Sequence, residues 1–183
     1  MNRDFLNYYK EEVFAMFIPK RFKILKLLFI VVLLSTIQYG CSVSEEKKTI
    51  FDNNDKIVQE GDSFYFLNRV GETNEKYTDI EYSKFYGVQT IWVIQSEKQS
   101  EILLNVNSKV KNGGFKVVLV TPEQEGINIV EQNNKGTYKI NVPEGKYSIK
   151  IVGKNAYGRI RVDLEAAVGD RILVQDEKLL KPQ

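Results

Sequence analysis

Residues 138–164 read YKINVPEGKYSIKIVGKNAYGRIRVDL, and their pattern indicates how the chain folds. Apolar side chains alternate with polar ones in three short runs, and these runs are separated by residues 143–145 (PEG) and 155–158 (NAYG). Alternation with a period of two gives a β-strand one apolar face and one polar face. Proline, glycine and asparagine clusters are typical of turns. The stretch therefore predicts three antiparallel strands that pack one face against a core.

The same pattern extends towards the N-terminus, because turn signals recur about every 8–12 residues and no long stretch has helical periodicity. We predict an all-β fold, an antiparallel β-sandwich of jelly-roll or immunoglobulin-like type with about seven or eight strands, over residues 62–174. Residues 112–114 (NGG) are predicted to form a hairpin turn, and residues 77–86 fit either a strand or a helical turn near 80–85. The further predicted strands are 63–67, 88–94, 102–106, 115–120, 126–130 and 171–174.

A different pattern fills residues 20–42, KRFKILKLLFIVVLLSTIQYGCS. Four cations precede an unbroken apolar run at 27–34, and this run is shorter than the roughly 20 apolar residues of a membrane-spanning helix. A basic region, a short apolar region and a small residue before the cut are typical of a secretory signal. We predict that residues 1–40 are a signal peptide. Acidic residues within 1–15 are atypical of such a signal, and they favour a translation start at Met16.

Gly40 and Cys41, followed by Ser42, resemble the lipobox of bacterial lipoproteins, although Gln38 and Tyr39 depart from its pattern. The resemblance covers only the leader and concerns processing alone. It implies that the Cys41 thiol takes a diacylglycerol and becomes the new N-terminus. The protein would then be lipid-anchored on the extracytoplasmic face of the cell membrane. An ordinary signal-peptidase cut and an uncleaved anchor are the alternatives.

Two segments show no pattern of a folded element. Residues 42–61, SVSEEKKTIFDNNDKIVQEG, are mostly polar, so residues 41–61 are predicted to be the lipidated cysteine and a flexible tether. Residues 175–183 are predicted to be a frayed tail.

Composition excludes several kinds of chemistry. The chain has no histidine and one cysteine, which removes the commonest metal ligand, the commonest general base and any disulfide within the chain. The formal net charge of +2 comes from the leader, because residues 1–41 hold more cations than anions. The remainder lacks the clustered positive charge of a nucleic-acid-binding domain. We therefore expect no nucleic-acid partner, no metal and no cofactor.

Two groups of residues are candidates for ligand binding. The first is a basic stripe on outward positions of neighbouring strands, which would meet an anionic polymer; its alternative is an ordinary solvated face. The second is an aromatic platform at Tyr82 and Tyr86, with Tyr65, Tyr77 and Trp92 as further members, although Trp92 lies in an apolar strand and is expected in the core. The basic stripe comprises Lys139, Lys150, Arg159 and Arg161.

These observations favour a membrane-anchored lipoprotein with a non-catalytic β-sandwich binding module. Its ligand would be a glycan or an anionic polymer of the cell envelope. The first alternative is an accessory subunit that binds a membrane protein through an apolar patch or an edge strand. The second is a carboxylate-based hydrolase, for which Asp79 and Glu81 are the weak candidate pair, about 7 Å apart on one strand face.

Overall fold

The computed structural model of the chain describes residues 43–166 and 170–174, within a compact unit that begins at Val43. The predicted signal peptide (1–40), the predicted start at Met16, the predicted lipidation site Cys41 and the predicted frayed tail (175–183) lie outside the described residues. The elements are α1 (Glu45–Thr49), a 3-10 helix (Ile50–Asp52), α2 (Asn54–Val58), β1 (Ser63–Tyr65), β2 (Asn68–Thr73), β3 (Tyr77–Ser96), β4 (Ser100–Val120), β5 (Gly126–Glu131), β6 (Asn134–Val142), β7 (Gly145–Ala166) and β8 (Arg171–Val174).

Three strands, β3, β4 and β7, organise the fold, since they are 20, 21 and 22 residues long. All strand pairs are antiparallel, and β7 lies between β3 and β4 along nearly its whole length. The five shorter strands pair with the outer two long ones. β2, β1 and β8 pair with successive parts of β3, whereas β6 and β5 pair with successive parts of β4.

The three long strands bend together at their middles and fold the sheet over on itself. The bends lie at residues 83–87 of β3, 110–114 of β4 and 153–158 of β7, where the registers shift. Bulges let a strand change layer in this way. One half of the sheet, the open layer, contains β2, β6 and residues 77–82, 100–110 and 158–166. The other half, the covered layer, contains β1, β5, β8 and residues 85–96, 112–120 and 145–156.

Two predicted turns are wrong, because the structure continues the strand through each of them. Residues 112–114 and 155–158 form the bends of β4 and β7, with Gly113 at φ 78° and Asn155 at φ 53°. A Cβ on Gly113 would collide with the Asn155 carbonyl oxygen, so the two bends fit together only because this residue is glycine. Of the two interpretations of residues 77–86, the strand is confirmed and the helical turn near 80–85 is wrong, since these residues belong to β3.

The core fills the space between the two layers. The open layer contributes even-numbered positions, among them Ile80, Leu104 and Val162, and the covered layer contributes Trp92 and Ile149. Aromatic rings close the core at the bends, where a phenylalanine of β3 stacks on one that follows β1, at 4.2 Å between ring centroids. The predicted all-β antiparallel sandwich is therefore confirmed, with eight strands.

The predicted flexible tether is wrong for residues 45–58, because this segment folds as short helices against the outer face of the covered layer. Ile50 and Ile57 are buried there, at 2% and 1% exposure, against Val88, Val118 and Val152. Burial of an isoleucine side chain contributes about 1.5–3 kcal/mol, which offsets part of the cost of ordering a polar segment. We name residues 43–58 the cover segment.

Candidate functional site

A cleft of about 770 Å³ opens at one edge of the sandwich, between the two layers. β1 pairs with β3 up to Val88, and β8 pairs with β3 from Trp92 onwards. Residues 89–91 therefore have no strand neighbour on this edge among the described residues. β2 of the open layer forms the opposite wall. We name this the edge cleft, and its lining includes Arg69, Glu72, Thr73, Asn74, Tyr77 and Gln89.

Gln89 lines the edge cleft and carries a buried polar atom that has no partner among the described residues. Its side chain is 4% exposed, and its Oε1 accepts no hydrogen bond from any residue that the structure describes. Leaving a buried acceptor unsatisfied costs about 1–3 kcal/mol, so such groups in native proteins commonly meet a ligand or water. The sequence analysis missed this residue, although its amide interrupts the apolar run 88–94 and so marks it within a buried strand.

The turn between β2 and β3 forms the rim of the edge cleft and is held from both sides. The Asn74 side chain accepts hydrogen bonds from the backbone N–H groups of Lys76 and Tyr77, at 2.9 and 3.0 Å. The Trp92 indole N–H donates to the Asn74 carbonyl oxygen at 2.6 Å. Trp92 is fully buried, as predicted, so the core fixes the position of the rim.

Polar side chains continue along the β2 wall. An Arg69 guanidinium nitrogen lies 3.5 Å from the Thr73 hydroxyl, and this hydroxyl is 2.7 Å from that of Thr78. Arg69 is half-buried and Thr78 is fully buried. The wall thus combines donors and acceptors in fixed positions, which suits a ligand rich in hydroxyl groups.

Tyr77 connects the edge cleft with the outer face of the open layer. Its hydroxyl donates to the Glu72 carboxylate, and this hydrogen bond raises the pKa of the phenol. The Arg161 guanidinium lies over its ring, 5.0 Å from the centroid. A tyrosine ring fixed by a carboxylate and an arginine is a preorganised apolar surface with a polar end.

Arginine and aspartate neutralise each other on the outer face of the open layer. Arg159 donates to both Asp79 carboxylate oxygens at 2.9 and 2.8 Å, and Arg161 contacts Asp79 at 3.4 Å and Asp163 at 2.7 Å. These hydrogen bonds, chiefly those from Arg159, hold the pKa of Asp79 below its usual value. Asp79 is thus kept as an anion, and it cannot serve as a general acid near neutral pH.

The four cations of the predicted basic stripe do not form one surface. Arg159 and Arg161 bind Asp79, and Lys139 lies 2.7 Å from Glu101. Lys150 belongs to the covered layer, is 3% exposed, and donates to the carbonyl oxygen of residue 59 at 2.6 Å. The prediction is wrong because it places a turn at residues 155–158 that sets the two runs side by side, whereas β7 continues through its bend and places them in different layers.

The predicted aromatic platform is also dispersed. Tyr82 is 2% exposed and stacks on Phe115 at 5.0 Å, so it lies in the core and not on the exposed platform predicted for it. Its position on the inner face of β3, beside the bend, explains the burial. Tyr86 is half-buried and lies opposite Tyr65 near the bend of β3. Of the proposed aromatic set, Tyr77 is the member that lines the edge cleft.

Residues 43–166 and 170–174 hold no group of three or more acidic or cysteine side chains arranged to bind a metal ion. Within the same ranges, no helix is long and apolar enough to cross a membrane.

Comparison with known proteins gives structural neighbours without a family. No family model matches the chain, and no curated protein matches its sequence. An exo-β-1,3-galactanase from Phanerochaete chrysosporium matches at 16% identity and a TM-score of 0.33, over 57% of this chain and 29% of the galactanase. A family 29 carbohydrate-binding module complexed with mannohexaose matches at 12% identity and a TM-score of 0.33, over 67% of this chain and 89% of the module.

A family 35 carbohydrate-binding module from an environmental isolate is similar at 12% identity and a TM-score of 0.31, over 62% of this chain and 83% of the module. The chain spans less than a third of the galactanase and most of each binding module. The fold described above is established from the topology of the chain itself.

Proposed function

We propose that the protein is a non-catalytic, lipid-anchored binding module and that it binds a glycan in the edge cleft. The observation that carries this proposal is Gln89, which lines the cleft and whose buried Oε1 has no hydrogen-bond partner among the described residues. Sugar hydroxyl groups both donate and accept hydrogen bonds, so one of them satisfies this acceptor and others meet the polar β2 wall. The Tyr77 ring offers the apolar surface on which sugar rings pack.

The charges around the cleft favour a neutral or weakly charged glycan over a strong polyanion. Glu72 and Glu75 lie on the rim together with Arg69 and Lys76, so cations and carboxylates are mixed. A polyanion would meet repulsion from the two carboxylates as well as attraction to the two cations, so the rim gives it no net attraction. The volume of about 770 Å³ falls within the usual range of ligand pockets, roughly 300–1,000 Å³.

A hydrolase is disfavoured by the state of the candidate carboxylate pair. Asp79 is held ionised by Arg159 and Arg161, and Glu81 lies 3.6 Å from Lys111. Acid catalysis of glycoside cleavage requires a carboxyl group whose pKa is raised, and Asp79 has the opposite shift.

Attachment to the extracytoplasmic face of the membrane is the second part of the proposal, and it rests on Gly40 and Cys41. Two or more acyl chains would anchor the protein stably, whereas one alone binds reversibly. Mass spectrometry of the membrane-extracted protein tests this part. We expect an acylated N-terminal Cys41, and an unmodified cysteine within an intact leader would contradict it.

Calorimetric titration with manno-, galacto- and gluco-oligosaccharides tests the binding part. Gln89→Leu should weaken binding of any oligosaccharide that binds by about tenfold or more, because it removes the acceptor from the cleft. Tyr77→Ala should also weaken binding, because it removes the ring on which sugars pack. Tyr86→Ala is its matched aromatic control, since Tyr86 lies near the bend of β3 and away from the cleft. Equal effects of Tyr86→Ala and Tyr77→Ala, or no effect of Gln89→Leu, would contradict the proposed site.

A second candidate, a protein-binding accessory subunit, is favoured by one observation. Leu67 and Val70 are 63% and 61% exposed along the β2 edge. Exposed apolar residues beside an edge strand are typical of protein interaction sites. Loss of a copurifying membrane protein on Leu67→Ser with Val70→Ser, without loss of oligosaccharide binding, would support this candidate.

A further inference from the structure

Charged side chains are sorted along the long axis of the sandwich. We name the two ends the bend end, where the long strands change layer, and the turn end, where residues 97–99 and 143–144 connect the layers. The bend end is rich in lysine, and its nearby carboxylates are Glu45, Glu46, Asp52, Glu81 and Glu131. Its lysines are Lys47, Lys48, Lys84, Lys109, Lys111 and Lys154.

The turn end has the opposite character. Its lysines, Lys98 and Lys146 among them, are fewer than its carboxylates. The carboxylates there include Glu97, Glu101, Glu123, Glu125, Glu144 and Asp170. The domain is therefore an electrical dipole, positive at the bend end and negative at the turn end.

Part of the positive charge at the bend end is free to act on a partner. Lys48, Lys111 and Lys154 form ion pairs with carboxylates on the same or neighbouring elements. In residues 43–166 and 170–174, no carboxylate pairs with Lys47, Lys84 or Lys109. These three lysines give the bend end its excess of cations.

The chain enters the domain at this same end. Val43 is 8% exposed, and it follows Cys41 in the sequence by two residues. Asp52 of the cover segment lies 2.5 Å from Lys154 at the bend of β7. The chain then runs towards the turn end, where the carbonyl oxygen of residue 59 accepts from Lys150. Folded structure thus begins almost directly after the lipidation site, with no length of flexible tether within residues 45–58.

We propose that the bend end is a membrane-contact surface that binds the headgroups of anionic phospholipids. This inference rests on the proposed attachment at Cys41. Lysines near an anionic leaflet are attracted to it over about a Debye length, roughly 8–10 Å, and the lysines at the bend end come within this reach when the chain is anchored. The acidic turn end, with the Asn74–Lys76 rim of the edge cleft, then points away from the membrane and towards a glycan.

The test measures which end of the anchored domain lies close to lipid. The full chain is reconstituted in vesicles of phosphatidylcholine alone or with phosphatidylglycerol, with one fluorophore on Asn112→Cys at the bend end or on Gln99→Cys at the turn end. Acylation of Cys41, the only native cysteine, leaves the introduced thiol as the labelling site. We expect a headgroup quencher to quench the Asn112 label more than the Gln99 label, more so with phosphatidylglycerol and less so in high salt.

Matched charge changes provide the control. Substituting Lys47, Lys84 and Lys109 by glutamine should abolish the difference between the two labels, whereas the same change at Lys98, Lys139 and Lys146 should preserve it. Equal quenching of both labels on attached chains would overturn the orientation and leave the anchor standing. Chains that wash off both kinds of vesicle would overturn the anchor and the orientation together.

Discussion

The outer faces of the two layers are built from similar strands, but one is exposed to solvent and the other is buried. On the open layer, the face is solvated, and Arg159 and Arg161 pair with Asp79 across neighbouring strands. On the covered layer, the valines at positions 88, 118 and 152 are buried beneath the cover segment. The apolar runs of β3 and β4 are therefore explained by a second buried face, the outer face of the covered layer. The cover segment that buries this face is part of the fold.

The largest expected effect comes from removing an anchor of the cover segment. Ile57→Ala should lower the free energy of unfolding by about 2–5 kcal/mol, because Ile57 is 1% exposed and its loss leaves a cavity. Urea unfolding followed by the fluorescence of Trp92, the single tryptophan, measures it. Ile127→Ala, at a half-exposed isoleucine of β5, is the control and should cost much less. Equal costs would mean that the cover segment is not bound.

Lysine provides a direct comparison of the two faces. Lys150→Ala should cost about 1–3 kcal/mol, because the ammonium group holds the Gln59 and Gly61 carbonyl oxygens. Lys139→Ala on the open layer removes only a surface ion pair and should cost at most about 0.5 kcal/mol. The same urea titrations measure both, and a larger cost for Lys139→Ala would reverse the assignment of the faces.

The pH dependence of Lys150 has a defined sign. Burial lowers its pKa below 10.5, so the charged form is disfavoured in the folded state. Below the lowered pKa, the folded state bears the full cost of burying the charged lysine. As the pH rises from the lowered pKa towards 10.5, this cost diminishes and the free energy of unfolding increases. Lys150→Ala should remove this rise in stability with pH, which urea titrations across the alkaline range would measure. The same rise in the variant and in the wild type would assign it to another group.

Asp79→Asn should have a smaller effect, about 0.5–1 kcal/mol at neutral pH, because the side chains of Arg159 and Arg161 are 60% and 46% exposed to water. The pKa of Asp79 is lowered from 3.8, so its contribution is present above pH 3.8 and is lost as the pH falls through the folded-state value. Acid titration of the two proteins checks this prediction. A wild-type protein that loses no more stability in acid than the variant would contradict it.

The smallest expected effect belongs to Tyr82→Phe in the core. The Tyr82 hydroxyl is buried and has no hydrogen-bond partner among the described residues, so its removal should leave stability unchanged or raise it by about 1 kcal/mol. Burial also raises the pKa of the phenol, so stability should fall above about pH 10 in the wild type and less in the variant. A large loss of stability in Tyr82→Phe would point to a hydrogen bond of this hydroxyl.

Alternation was enough to predict the fold class, but it could not predict the bends. Runs such as 147–151 and 160–164 each identify one buried face, and Trp92 was correctly placed in the core. A bulge at Asn155 looks like a turn in sequence, since both use a residue that tolerates positive φ. Because the sequence pattern predicts a turn at this bend, Lys150 and Arg159 are predicted to share a face. In the structure they lie in different layers, so the predicted basic stripe does not form.

The cover segment and the edge cleft were missed for a related reason. Ile50 and Ile57 are isolated apolar residues in a polar stretch, and only the sheet beneath them decides that they are buried. The cleft is formed by β2, β3 and β8, whose proximity depends on the long-range pairing of strands. Local sequence patterns carry no information of this kind.

The most direct test of the account is an NMR titration of the protein with the oligosaccharide that binds best in calorimetry. We predict that the Gln89 side-chain amide and the Trp92 indole N–H shift with ligand, because one faces the edge cleft and the other holds its rim. The Arg159 side-chain signal should stay unchanged. Shifts at Arg159 without shifts at Gln89 would place the ligand on the open face and contradict the account.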